Sequence, residues 1–304
     1  MFEQLRIVGL TAVTMVAFAA NSLLCRAALR GGAIDAPMFT AIRLVSGAVV
    51  LVAITQTRRD APPVKSAGSW RAAWSLAIYA IAFSLAYLRL AASTGALILF
   101  GSAQLTMIGG GLVRGERPTV RQWIGFAVAA TGLVLLNLPS LEAPPPAGAA
   151  LMFVAGVTWG LYSLFGRAAT RPLSANAGNF ARAVPMCALF VGFALATSMH
   201  VTAYGAGLAI ASGAITSGLG YCVWYAVLPS LGAARAAIVQ LSVPVIAAVG
   251  GIVLLDEPLH RHVVVGGSVI LGGLALALWR PFVRRPARVA QRGDSAESPR
   301  TTHR

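Results

Sequence analysis

Acidic residues are scarce in this chain. Nine Asp and Glu stand against 24 Lys and Arg in 304 residues, and charged residues of both signs make up only 11%. A soluble domain carries roughly 25% charged residues, so a water-soluble fold of this length could not cover its surface. None of the acids falls in the middle of an apolar run. That disfavours exchange of a cationic drug against protons through a membrane-embedded carboxylate. Cysteine is sparse as well: Cys25, Cys187 and Cys222 sit inside apolar runs with no pairing or metal spacing, and read as small packing residues. There is no Gly-rich phosphate loop, no nucleophile elbow and no HExxH motif. ATP-driven pumping within this chain and the commonest hydrolytic chemistries therefore have no support, and no cofactor is expected.

What fills the chain is apolar sequence: 57% hydrophobic residues, mean hydropathy +0.76, in runs near the ~20 residues that cross a hydrocarbon core. This pattern predicts an all-α integral membrane protein. Ten spans are expected, near 5–26, 36–55, 70–89, 92–112, 121–138, 147–168, 176–197, 204–227, 232–254 and 261–280. Proline and glycine punctuate the connections, at Gly31-Gly32, Pro62-Pro63, Pro118, Pro144 to Pro146, Pro172, Pro229 and Pro258. The net charge of +15 does not point to nucleic acid, because the cations lie between apolar runs and in the tail. The expected partners are the lipid bilayer and a small-molecule substrate, with a monomer or a homodimer both open. The first run resembles a signal peptide, with Arg6 before it and Ala17-Phe18-Ala19 as a small-x-small site. Its echo later in the chain argues that it is retained.

That echo is an internal repeat. Asn21–Arg30 reads NSLLCRAALR and Tyr162–Arg171 reads YSLFGRAATR, an offset of 141 residues with six of ten positions identical. Glu116, Gly125 and Gly132 precede Glu257, Gly266 and Gly273 by the same offset. A shared offset marks a duplication. We expect a first repeat at 1–140, a second at 147–280 and a disordered basic cytoplasmic tail at 284–304. Five spans per copy is an odd number, so the second copy enters the membrane from the opposite side: two inverted five-helix repeats, an arrangement typical of secondary transporters. With the N-terminus inside, 18 Lys and Arg fall on the cytoplasmic side and four outside. Both termini are therefore expected in the cytoplasm of a multi-pass inner-membrane protein.

The ordered set of Phe18–Arg30 with Trp159–Arg171, Arg43 with Arg182, and Glu116 with Glu257 resembles the EamA-type transporters of the drug/metabolite transporter superfamily. The resemblance spans about 5–280. It implies ten helices, and transport, most simply export, of a small metabolite such as an amino acid; it implies no enzyme activity and no particular substrate. Export of amphipathic drugs or nucleosides, and a non-transporting membrane receptor or enzyme, remain as alternatives.

The candidate substrate-binding residues are polar or aromatic groups at depth: Asn21, Arg43, Tyr79, Tyr87, Gln104, Trp159, Tyr162, Arg182 and Gln240. A buried arginine could receive a substrate carboxylate, or could anchor itself on backbone carbonyls at a helix end, and anchoring is the first reading. The amides could hydrogen-bond a solute or a neighbouring helix. Tyr221, Trp224 and Tyr225 read as cavity rings or as interfacial anchors. Glu116 and Glu257 form a structural loop motif and read as caps of the helix that follows each. Pro185 and Pro244 predict kinks. Asp256, Glu257, His260 and His262 are too few and too local to predict a metal site.

Overall fold

The computed structural model describes residues 2–30, 32–90, 92–137, 145–194, 200–254 and 258–279. Asp256, Glu257 and the tail from 284 lie outside these. The described chain is helical: α1 (Phe2–Arg30), α2 (Ala36–Gln56), α3 (Trp70–Tyr87), α4 (Ala92–Val113), α5 (Val120–Asn137), α6 (Pro146–Gly166), α7 (Pro172–Ala194), α8 (Ala203–Ala211), a π-helical stretch (Ser212–Leu219), α9 (Gly220–Gln240), α10 (Ser242–Leu254) and α11 (Arg261–Leu278). No strand occurs among the described residues, only an isolated bridge between Ile34 and Val201.

The starts follow local chemistry. Ser69 accepts from the Ala72 N–H and Thr202 from the Gly205 N–H, each satisfying a donor with no intrahelical partner. Proline stands in the first turn of α2 and α6, where its missing N–H costs nothing.

By length and composition, seven helical runs among the described residues are apolar enough to cross a bilayer. The α3 and α7 helices are not in that set; they carry Arg71, Ser75, Asn176, Asn179 and Arg182 among their apolar residues. The eighth and ninth spans separate between 227 and 232 as expected: the apolar run from Ala203 to Gln240 is two helices that meet at a kink at Gly232, with φ 72° and ψ 166°. Only glycine takes that conformation without strain, and Pro229 just before it removes a helix donor.

The packing repeats when each helix is exchanged for its counterpart in the other half. The α5 helix lies against α11 and α2 against α7; α3 and α4 lie against α6, while α1 lies against the π-helical stretch, α9 and α10. Directions can be read at close approaches. Gly125 meets Ala277, Ala129 meets Gly273, Gly132 meets Ile270 and Leu136 meets Gly266, so α5 and α11 run antiparallel. A Cβ added at Gly125 or Gly132 would sit 2.6 Å from atoms of the partner helix, and glycine is what allows this approach. By the same reading α4 and α6 run parallel, since Gly156 meets Leu99 and Ser102 while Gly160 meets Ala103 and Thr106.

Candidate functional site

A cavity of about 990 Å³ opens at the end of the bundle where α1 and α3 finish and α4 and α11 begin. Its walls come from both ends of the chain: Ser22, Cys25 and Arg26 of α1, Phe83 and Tyr87 of α3, Leu99 and Phe100 of α4, Asn137 of α5, and Val243, Pro244 and Ala247 of α10. Asp35, His260 and His262 stand at the rim. The two imidazoles stack at 5.2 Å, and Asp35 accepts from the His200 backbone N–H. No group of three or more metal-ligating side chains occurs among the described residues.

Beneath the floor lies a buried aromatic and polar cluster. Phe83 packs on Tyr79 at 5.5 Å, and Tyr79 on Trp159 at 5.1 Å. Trp159 continues to Tyr162 and Tyr221, and Tyr162 to Tyr225. Rings at these separations contribute beyond their buried area. Their polar ends are satisfied. The Trp159 indole donates to Gln240 Oε1 at 2.7 Å, and the Gln240 amide donates to Met107 Sδ and the Ala236 carbonyl. The Tyr162 hydroxyl bonds Asn176 Oδ1, and Tyr225 donates to the Tyr162 carbonyl. Tyr221, Trp224 and Tyr225 are fully buried, so they are not interfacial anchors. Trp224 spends its N–H on Ser163.

Arg43 is 2% exposed. Its Nε donates to Ser217 Oγ at 2.8 Å, one terminal nitrogen donates to Tyr221 Oη at 2.7 Å, and the guanidinium lies 5.7 Å over the Tyr79 ring. Asn21 Oδ1 accepts from Ser212 at 2.6 Å and faces Thr216 and Ser217. This joins α1 to the same network. The π-helical stretch supplies those hydroxyls, and such widened turns recur at functional sites. Gln104 is buried, one helical turn below the cavity residue Phe100 and one above Met107, and its amide nitrogen has no hydrogen-bond partner.

The candidate residues thus divide. Asn21, Arg43, Tyr79, Trp159, Tyr162 and Gln240 are brought together; Tyr87 lines the cavity; Gln104 sits just below it. Arg182 is elsewhere. It donates to the carbonyls of Lys65, Ala67 and Gly178 and lies 5.4 Å over Trp70, tying α7 to the connection between α2 and α3. Ser212, Thr216, Ser217 and Asn176 belong to the network but were not foreseen. Small hydroxyls in an apolar run give no signal that separates them from packing residues.

Glu116 bridges helices at the end of the bundle away from the cavity. Gly115, at φ 83°, terminates α4, and the carboxylate that follows pairs with Arg167 at the end of α6. It also accepts from the Ala233 N–H at 2.9 Å, the first donor past the Gly232 break. Glu116 therefore caps a helix, but not the next one: α5 is started by Thr119 and Gln122, which bond each other's backbone N–H as a reciprocal cap. Arg114 adds a bond to the Leu164 carbonyl. From Ala96 at the cavity to Glu116 is about 30 Å along α4 at 1.5 Å per residue.

Comparison with known proteins places these features. Residues 5–138 match the EamA-like transporter family, and residues 146–279 match it again. An uncharacterized protein of Pseudomonas aeruginosa is 50% identical over 281 residues, 92% of this chain and 96% of its own. Probable amino-acid metabolite efflux pumps of Salmonella typhimurium and Escherichia coli are 27% and 26% identical, covering 66% and 69% of this chain and 71% and 76% of theirs. A solved crystal structure superposes with a TM-score of 0.76 at 16% identity, over 91% of this chain and 98% of the other; that likeness bears on the fold alone.

Proposed function

The chain belongs to the EamA-like transporter family, and from that premise we propose that it is a secondary transporter exporting a small metabolite, an amino acid or related solute, across the inner membrane. Ten crossings, with α3 and α7 among them, form two inverted five-helix repeats, and both termini lie in the cytoplasm. The cavity mouth then faces outward, and the Glu116–Arg167–Ala233 contact closes the cytoplasmic side. Transport proceeds by exchanging these two conditions between the ends. The names of the Salmonella and Escherichia relatives support the solute class.

The observation that carries this reading is the cavity: both ends of the chain wall it, it is open at one end of the bundle, and a cross-half ionic contact bridges helices at the other. Antiparallel α5 and α11 support the inversion.

The test is flux through purified protein in liposomes, with a panel of amino acids, nucleosides and amphipathic cations, with and without a pH gradient. Saturable movement of amino acids is expected. Ala247→Trp, which fills the cavity from α10, is expected to cut flux at least tenfold while the protein remains monodisperse. Undiminished flux in that variant would remove the cavity from the path, and movement of amphipathic cations alone would favour a drug exporter.

A further inference from the structure

Among the described residues, no acid pairs with the charge of Arg43. Its partners are a hydroxyl, a phenol and a ring face, all neutral. The acids at described positions, Glu3, Asp35, Asp60 and Glu116, stand at helix ends or in connections. Asp35, the residue before the helix that carries Arg43, is eight residues or about 12 Å away along the axis, and it accepts from His200. A guanidinium held in a low-dielectric interior without an anion is costly, and intramembrane charges mark ligand paths by default. Arg182, its counterpart in the second half, has none of this character, because three backbone carbonyls engage it near a connection.

Two packed rings separate the position of Arg43 from the cavity. Phe83 lines the cavity floor, Tyr79 lies behind Phe83, and the guanidinium lies over Tyr79. On the other side Ser22 and Cys25 line the wall, and Asn21, next to Ser22, faces Ser217, which takes the Arg43 Nε–H. Rotation of Phe83 and Tyr79 together would bring a solute onto the guanidinium. The planar fork of donors fits a carboxylate edge-on, and one cation balances one negative charge, which favours a carboxylate over a phosphate dianion. The rings of Tyr79, Tyr221 and Trp159 around it suit an apolar or aromatic body.

We propose that Arg43 is a deep anion subsite, below the cavity floor behind Phe83 and Tyr79, that reads the carboxylate of the solute. This rests on the transporter reading for its biological meaning, but binding can be measured apart from transport.

The experiment compares carboxylates with their amides: L-leucine, L-phenylalanine and 3-phenylpropionate against leucinamide, phenylalaninamide and 3-phenylpropionamide. Thermal stability of the detergent-purified full chain reports binding, because a ligand of the folded state raises the melting temperature. Flux in liposomes reports transport. Wild type should be stabilised by at least one carboxylate and bind it at least tenfold tighter than its amide. Arg43→Gln should bring that ratio to about one, with Arg43→Lys between. A wild type that responds equally to acids and amides, or to neither, overturns the subsite, and this comparison needs no variant to fold. An unchanged ratio in a folded Arg43→Gln overturns it too. Carboxylate-selective binding that Arg43→Gln abolishes, with no flux of any solute, upholds the subsite and removes the transporter reading instead.

Discussion

Side chains at depth here are constrained by what their neighbours require. The Trp159 indole donates to Gln240 Oε1. Trp159→Phe would keep most of the ring packing and orphan that acceptor, a loss of about 1–3 kcal/mol. We expect a lower melting temperature in detergent and reduced flux; full stability would mean that another donor replaces the indole. Glu116 holds three elements at once: α4, which it follows, Arg167 of α6, and the Ala233 N–H. Glu116→Ala should cost a similar ~1–3 kcal/mol and open the bundle at its end away from the cavity. A thiol placed at Ala233 in a background lacking the native cysteines would then label faster with an aqueous reagent. Unchanged labelling would show that the contact does not govern access. At this scale the sequence was partly readable. Asn21, Arg43, Trp159 and Gln240 stand out because polar groups in apolar runs are expensive. Ser212 and Thr216 do not, since in any helix a Thr hydroxyl can return to the i−4 carbonyl, as Thr216 does to Ser212. The different surroundings of Arg43 and Arg182 depend on which connection folds over each, and sequence equivalence carries no such information.

Among the helices, the seam of α5 with α11 is the most sensitive to side-chain size. A Cβ at Gly273 would lie 2.6 Å from the Ala129 nitrogen and the Gly125 carbonyl oxygen, so Gly273→Val forces backbone apart from backbone. Overpacking of this kind costs about 1–3 kcal/mol or more. The variant should aggregate or melt markedly lower in size-exclusion and thermal assays, whereas Gly272→Ala, next to it with open space around its Cα, should behave as wild type. The glycines of this seam were legible as packing positions because their spacing recurs with the duplication. The break at Gly232 was legible only as a gap between two spans. Its role, a positive φ that presents a fresh helix start to Glu116, needs the third dimension: the carboxylate that meets it lies 116 residues earlier in the chain. Likewise the cap of α5 was assigned to Glu116 by adjacency, while Thr119 and Gln122 were closer and complete it by themselves.

For the molecule as a whole, the packing of helices returns onto itself when the halves are exchanged, and the residues shared at a 141-residue offset predicted the duplication behind that. Its orientation in the membrane is a matter of charge distribution. Reporters fused at the N- and C-termini should both register as cytoplasmic, and a thiol at Ala247 in the same cysteine-free background should react with an impermeant reagent from the outside. Reporters on opposite sides would overturn the even crossing number. The α5–α11 seam has one more consequence. Its close contacts join helices from opposite halves, and none of them depends on the residues that connect 137 to 146. Covalent continuity there should be dispensable: two polypeptides cut within that connection and made in the same cell should find one another, co-purify, and regain activity as a two-chain assembly.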